Sequence, residues 1–418
     1  MTPLEITLSL TTAILLFVVW RLIRHQESHY HEEPNSEILE TLEGVAGTTL
    51  GTMLSGNEVE IIQDARFFDE VIESIDGATS TIHVETFLWT EGKASDRIAK
   101  ALAAASERGL KVRVLVDARG SCDMGERAID TLKKANVEFH QFRSFNLMNL
   151  GRLNVRDHRK MMIFDGRKAI VGGHCITDNW LEDQEDFDRF RDVSAIFTGP
   201  IVGAIQSTFA MNWREATDQY FIGEDTFPKL APCGDIQAHV ASVKPDNTPS
   251  SVQVLHYLAI GLAKETIRIQ NPYFLPDPRG IKALAQAVGR GVDVQVVTPA
   301  PHATDSTFVT YAGRRIYSQL LEAGVRIFEY QKTLLHQKII TIDGNWSGIG
   351  SCNFDDRSFE INDEVVVGVA SSKVAQQLDD IFESHLEDSE EIQLESWQKR
   401  PWFERIRERF FHLLHEQF

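Results

Sequence analysis

The chain is poor in cysteine: its 418 residues hold only Cys122, Cys175, Cys233 and Cys352, and no two of them form a CxxC pair. That rules out a disulfide framework and offers no zinc-site pattern, so the four read as reduced thiols in a cytoplasmic compartment. Positive charge is also scarce. Lys plus Arg number 42 against 61 Asp plus Glu, a formal charge of −19, which excludes nucleic-acid binding driven by overall basicity. With 13 prolines and 27 glycines the composition is neither collagenous nor low-complexity. What is present is 43% hydrophobic residues, enough for a full core, at a length that predicts two or three folding units.

Long apolar runs are missing except at the start, where Ile6 to Trp20 carries no charge and leads into Arg21 and Arg24. As a helix this run rises roughly 22 Å, and counting through Ile23 with Arg21 snorkelling extends it toward the ~30 Å hydrocarbon core. No positive n-region or small-residue cleavage site accompanies it, so residues 1–25 are read as a retained single-pass membrane anchor. Arg21 and Arg24 place the body on the cytoplasmic side of the cell inner membrane. Residues 26–56 follow as a polar tether, in which His29, His31, Glu32 and Glu33 suit solvent better than a metal.

The rest of the chain is an internal repeat. STIHVETFLW (80–89), RGLKVRVLVD (108–117), NVEFHQF and DHRKMMIFDGRKAIVGG (157–173) recur in order as ETIRIQNPYF (265–274), RGVDVQVVTP (290–299), GVRIFEY and LHQKIITIDGNWSGIGS (335–351). Period-two apolar runs alternate with helical stretches such as 96–107 and 281–289, an α/β pattern. The expected architecture is therefore two halves, 57–222 and 251–396, joined by a Pro- and Gly-bearing linker at 223–250. They are related by a pseudo-two-fold axis with one site between them. Residues 397–418 form a basic amphipathic segment.

The repeat duplicates His158, Lys160 and Asp165 as His336, Lys338 and Asp343, both with spacing H-x-K-x4-D. On a strand the His and Lys share a face, while each Asp precedes Gly in a turn dipeptide. Two imidazoles and two ammoniums around one cavity suit a phosphodiester, which asks for fixed cations, a nucleophile and a proton for its leaving alkoxide, and for no metal. This duplicated motif resembles the HKD motif of the phospholipase D superfamily. With IQNPYF, LHQKIITIDG, GSCNFDDRSFEIND, the GPIV run after Asp192 and the N-terminal anchor, the chain is most similar to the bacterial cardiolipin synthases of phospholipase D type.

The resemblance implies a duplicated fold of two mixed β-sheets flanked by helices. It implies a phosphatidyltransferase that makes cardiolipin from two phosphatidylglycerols, or from phosphatidylglycerol and another phospholipid, with anionic phospholipids and the membrane as partners and without cofactor or nucleic acid. A hydrolytic phospholipase D releasing phosphatidic acid and an inactive lipid-binding scaffold are the alternative readings. In the implied chemistry His158 attacks phosphorus to form a covalent phosphohistidine and His336 acts as acid and then base, although the two motifs look alike. Asp192 is expected to pair with His336 and Glu364 with His158, Asn353 to bind phosphate with the two lysines, and Ser351 to assist. Asp165 and Asp343 belong to the motif but suit the turn or a buried ion pair. Where the family has Asn in the first half this chain has Cys175, a weak donor, which either leaves the first-half phosphate contact poorer or lets the neighbouring His174 substitute for it. The stretch from Phe142 to Leu150 reads either as core or as a loop that dips into lipid.

Local charge differs from the total. Arg152 to Lys168 holds six cationic against two acidic residues, and Lys399 to Arg409 five against two, whereas Asp379 to Glu395 holds eight acids and no Lys or Arg. The basic segments thus coincide with the candidate phosphate site and the C-terminal segment.

Overall fold

A computed structural model describes residues 36–144, 154–182, 189–244 and 250–413, with a few positions between 2 and 15. The first half supplies β1 (Leu54–Gln63), β2 (Thr81–Thr86), β3 (Lys111–Asp117), β4 (Glu138–Phe142), β5 (Met161–Phe164), β6 (Lys168–Gly172) and β7 (Val193–Thr198). The second supplies β8 (Ile236–Val243), β9 (Thr266–Gln270), β10 (Phe274–Leu275), β11 (Asp293–Pro299), β12 (Arg326–Tyr330), β13 (Ile339–Ile342), β14 (Trp346–Gly350), β15 (Phe354–Asp355), β16 (Glu364–Ala370) and β17 (Ser389–Glu391). Fifteen of these run in one hydrogen-bonded order, β17-β12-β11-β9-β13-β14-β16-β8-β1-β7-β6-β5-β2-β3-β4.

Read from its middle outward, that order repeats itself. Within this sheet each half has three parallel strands (β2-β3-β4; β9-β11-β12) and otherwise antiparallel neighbours, with β5 against β2 matched by β13 against β9. Of the parallel strands, β2, β11 and β12 are wholly or almost wholly buried, as strands covered on both faces must be, whereas the edge strand β4 (EFHQF) is mostly half-buried. The expected α/β mixture and duplicated halves are present.

Three boundaries differ from those read along the sequence. The two sheets are not separate, because β1 and β8 pair antiparallel at Leu54↔Ala238 and Asn57↔Ile236 and so close the edge each half would otherwise expose. The second part of the 223–250 linker is therefore strand β8, its alternating IQAHVASV also paired with β16. The 26–56 tether is folded from Ile38 onward. A short 3-10 turn (Ile38–Glu40) and a helix (Leu42–Thr48) bury Ile38, Leu42, Val45 and Ala46 in the core of the second half, and their spacing makes one apolar helical face.

Residues 16–35 and 145–153 lie outside the described residues, and with them most of the anchor, the His29 to Glu33 group and most of the Phe142 to Leu150 stretch. Among the described residues no helix is long and apolar enough to cross a membrane. The linked halves share a core in which Leu115, Ile163 and Val171 meet Ile339, Ile349 and Val365.

Candidate active site

Each half delivers its histidine just before a central strand, β5 or β13, and each delivery is fixed by the other half. The His158 amide donates to the Asp363 carbonyl at 3.0 Å, and the His336 amide to the Arg191 carbonyl at 2.7 Å. Isolated parallel bridges, Asp157↔Asp363 and Arg191↔Leu335, stitch the halves together at these points. The residue that follows each bridge then supplies a carboxylate. Glu364 Oε1 lies 2.8 Å from His158 Nδ1, and Asp192 Oδ2 lies 2.7 Å from His336 Nδ1. Each imidazole is therefore oriented through Nδ1 by the opposite half, which leaves Nε2 as the nitrogen free of the carboxylate.

The lysines complete a cationic pair. Lys160 Nζ donates to the carbonyl of His158 at 2.7 Å and Lys338 Nζ to that of His336 at 2.5 Å. Burial pushes the Lys338 ammonium down to about 7; Asp192 opposes the shift and Lys160 adds repulsion. Burial, reinforced by both lysines, holds both histidines well below the usual imidazole range. The same burial raises Asp192 and pushes Glu364 up to about 8, although Lys160 and the Ser351 hydroxyl pull Glu364 back. These shifts of His158, His336, Lys338, Asp192 and Glu364 have one leading cause, burial, which disfavours the charged form of each group.

The remaining residues singled out from the sequence divide into two sets. Ser351 Oγ donates to Glu364 Oε2, and Asn353 is buried with its Oδ1 unpartnered among the described residues. Cys175 occupies the place corresponding to Asn353, buried and close enough to feel Lys160 and Lys338. His174 is buried beside it, close enough to feel Asp192, His336 and Lys338. Its Nδ1 meets Ser194 Oγ at 2.8 Å, and its ring stacks on Phe67 at 4.5 Å. Asp165 and Asp343 sit at the far ends of β5 and β13, one strand length from the histidines. Asp165 accepts the backbone N–H groups of Thr79, Ser80 and Thr81, and Asp343 those of Lys264, Glu265 and Thr266. They hold the turn to the neighbouring strand and do not reach the cavity.

Sequence reasoning missed several contributors. Phe87 lies edge-on to His158 at 4.9 Å and Trp180 edge-on to His336 at 5.5 Å. Tyr273, inside the NPYF run, donates from its hydroxyl to Asp305 at 2.6 Å. Arg357, which donates to Asn154 Oδ1 at 2.9 Å, adds its charge to those acting on His158.

The halves also differ beneath the histidines. Under His158 lies a charged cluster: Asn212 Nδ2 donates to Glu85 at 2.7 Å, and fully buried Arg159 donates to the carbonyls of Glu364, Thr208 and Val243. Burial raises Glu85, Asp157 and Asp363 together. At the matching positions under His336 stand Gln270, Gln337 and His385, a neutral set bonded within itself at 2.6 to 3.1 Å. Comparing the repeats position by position, Arg159 against Gln337 and Glu85 against Gln270, is the signal that would have found this asymmetry.

Comparison with known proteins places this geometry in context. The family described as cardiolipin synthase, PLD-like domain, matches residues 71–213 and 258–386. Cardiolipin synthase 2 of Bacillus anthracis is 32% identical over 371 residues, covering 88% of this chain and 70% of that protein. The major cardiolipin synthase of Bacillus subtilis is 30% identical over 362 residues, covering 86% and 75%. Among solved structures, phosphatidylserine synthase of Haemophilus influenzae shares the fold, with a TM-score of 0.67 at 13% identity, covering 86% of this chain and 93% of that one.

Proposed function

The chain belongs to the cardiolipin synthase family of phospholipase D-like proteins, and from that premise we propose that it moves a phosphatidyl group from one phosphatidylglycerol to the hydroxyl of a second phospholipid. The product is cardiolipin when the acceptor is phosphatidylglycerol. The observation that carries this reading is the crossed pairing of two buried imidazoles with carboxylates from opposite halves, beside two lysines.

In the proposed reaction the donor's phosphodiester lies between Lys160, Lys338 and the Asn353 amide. Nε2 of His158 attacks phosphorus, the phosphorus–oxygen bond to glycerol breaks, and His336, which takes up a proton on Nε2 when the phosphodiester anion binds, gives the departing alkoxide that proton. The phosphatidyl group is then held covalently on His158. The acceptor hydroxyl enters, His336 takes its proton, the new phosphorus–oxygen bond forms and the phosphorus–nitrogen bond breaks, so both histidines return to their starting state. Two displacements through one covalent intermediate predict ping-pong kinetics. Glu364 and Asp192 stabilise the imidazolium that forms on each side, as carboxylates do in catalytic triads. Anionic phospholipids in the bilayer are the partners, residues 1–25 the proposed anchor, and the cytoplasmic face the side on which the body sits.

Purified full-length chain in phosphatidylglycerol vesicles is expected to release cardiolipin and free glycerol in equal amounts, and His158→Ala and His336→Ala to release neither. Phosphatidic acid without cardiolipin would replace the transferase with a hydrolase, and a His158→Ala variant as active as wild type would end the reading altogether.

A further inference from the structure

The helix Trp402–Leu413 is fixed to the body by one side only. Glu408, 1% exposed, binds Arg400 at 2.6 Å, and Phe411 packs against Phe308 and Tyr311 with ring centres 5.0 and 6.0 Å away. At about 100° per residue, Trp402, Phe403, Ile406 and Phe410 fall within an arc of about 100° whose centre points away from Glu408 and Phe411. Those four are 73%, 56%, 55% and 58% exposed, the largest run of exposed apolar side chains on the C-terminal segment. Arg405 and Arg409 border this stripe on one flank and Arg407 on the other, the last with its guanidinium 3.7 Å from the centre of the Tyr311 ring.

We propose that this face is a lipid-contact surface that seats the enzyme on an anionic bilayer beside the mouth of its own active site. The occupant follows from the arrangement: an apolar stripe flanked by arginines matches the acyl boundary and phosphate layer of such a membrane. A water-facing helix would not expose four large apolar groups in register. Its place in the fold gives the contact a purpose. Phe308 and Tyr311, on which the helix rests, belong to the helix Thr307–Arg314. That helix starts two residues after Asp305, the partner of Tyr273 and one of the charges felt by His336. Phe308 also lines a small cavity with Asp355 and Arg357, next to the catalytic strand ends. One layer of helix thus separates the proposed membrane contact from that small cavity, whose lining residue Arg357 also acts on His158. The inference rests on the phospholipid reading of the site only in its choice of membrane.

The test uses full-length protein with Cys122 and Cys233 changed to Ser and a single polarity-sensitive fluorophore attached at Ile406→Cys. A matched protein carries the label at Glu107→Cys, an exposed position at the end of the helix Lys93–Glu107 in the first half. On vesicles of phosphatidylcholine containing phosphatidylglycerol, the label at 406 is expected to shift to the blue and brighten about twofold or more, and the label at 107 to stay as in buffer. Unchanged spectra at 406 overturn the proposal. So does a blue shift that forms without vesicles and fades on dilution, which would mean that a second copy of the chain covers the face. This readout does not depend on turnover, so it stands apart from any failure of the transferase reading. In an activity arm, Phe403→Ser/Ile406→Ser/Phe410→Ser is expected to slow turnover of vesicle phosphatidylglycerol about tenfold while leaving a dispersed short-chain substrate within about twofold. Equal loss on both substrates overturns the proposal.

Discussion

At Lys338 the balance between burial and neighbouring charge decides what the cavity does when a phosphate arrives. Burial pushes its ammonium down to about 7, so above that pH the amine prevails in the protein by itself. An entering anion favours the charged form and restores the proton. Sulfate, which does not itself titrate in this range, is therefore expected to bind with net proton uptake at pH 8, and Lys338→Met to lose that uptake. Calorimetry in buffers of different ionisation enthalpy measures it, and uptake unchanged in the variant would assign the proton elsewhere. The motif residues His158, Lys160, His336 and Lys338 were all legible in the sequence, because a duplicated spacing is a one-dimensional signal. Trp180 and Phe87 were not. A lone aromatic on a loop carries no sign that the chain will fold its edge against a catalytic ring.

Among the elements, the two turns after β5 and β13 separate a structural from a chemical role within one motif. Asp165 and Asp343 adopt positive φ, +52° in each case, and use their carboxylates to satisfy three backbone N–H groups apiece. Asp165→Ala leaves those donors to water and is expected to cost about 1–3 kcal/mol in urea unfolding, with the rate per folded molecule within about twofold of wild type. A rate collapse in a fully folded variant would return Asp165 to the chemistry.

The cluster under β5 makes a second prediction at this scale. Arg159→Gln removes the cation buried among Glu85, Asp157 and Asp363 and is expected to destabilise the fold by about 3–5 kcal/mol. Glu85→Gln/Asp157→Leu/Arg159→Gln copies the neutral second half at matching positions and is expected to recover most of that loss. Failure of the triple variant to recover would mean that the halves are less interchangeable beneath their histidines than the shared strand order implies.

For the whole molecule, the decisive feature is that neither half owns a complete catalytic pair. His158 takes its carboxylate from β16, at Glu364, and His336 takes its own from Asp192, just before β7. Cutting the connection between residues 223 and 235 and producing the two pieces together is expected to restore lipid transfer, while either piece alone shows none. The β1–β8 pairing and the shared core supply the contact that reunites them. Activity from one piece alone would show that the crossed pairs are not required.

The sequence by itself determined the duplication, the α/β alternation, the two histidine–lysine strands and the family, since each is carried by local periodicity or by order along the chain. It also carried the apolar spacing of residues 38–46, although the polar setting of that stretch concealed it. Only the tertiary structure decided that the two sheets join at β1 and β8, that both aspartates of the motif face away from the cavity, and that one histidine rests on charges and the other on neutral polar groups. The physical reason is the same in each case. Strand pairing across halves, the direction of a turn carboxylate and the burial of a charge depend on contacts between residues many tens of positions apart, and no local pattern records which of those contacts will form.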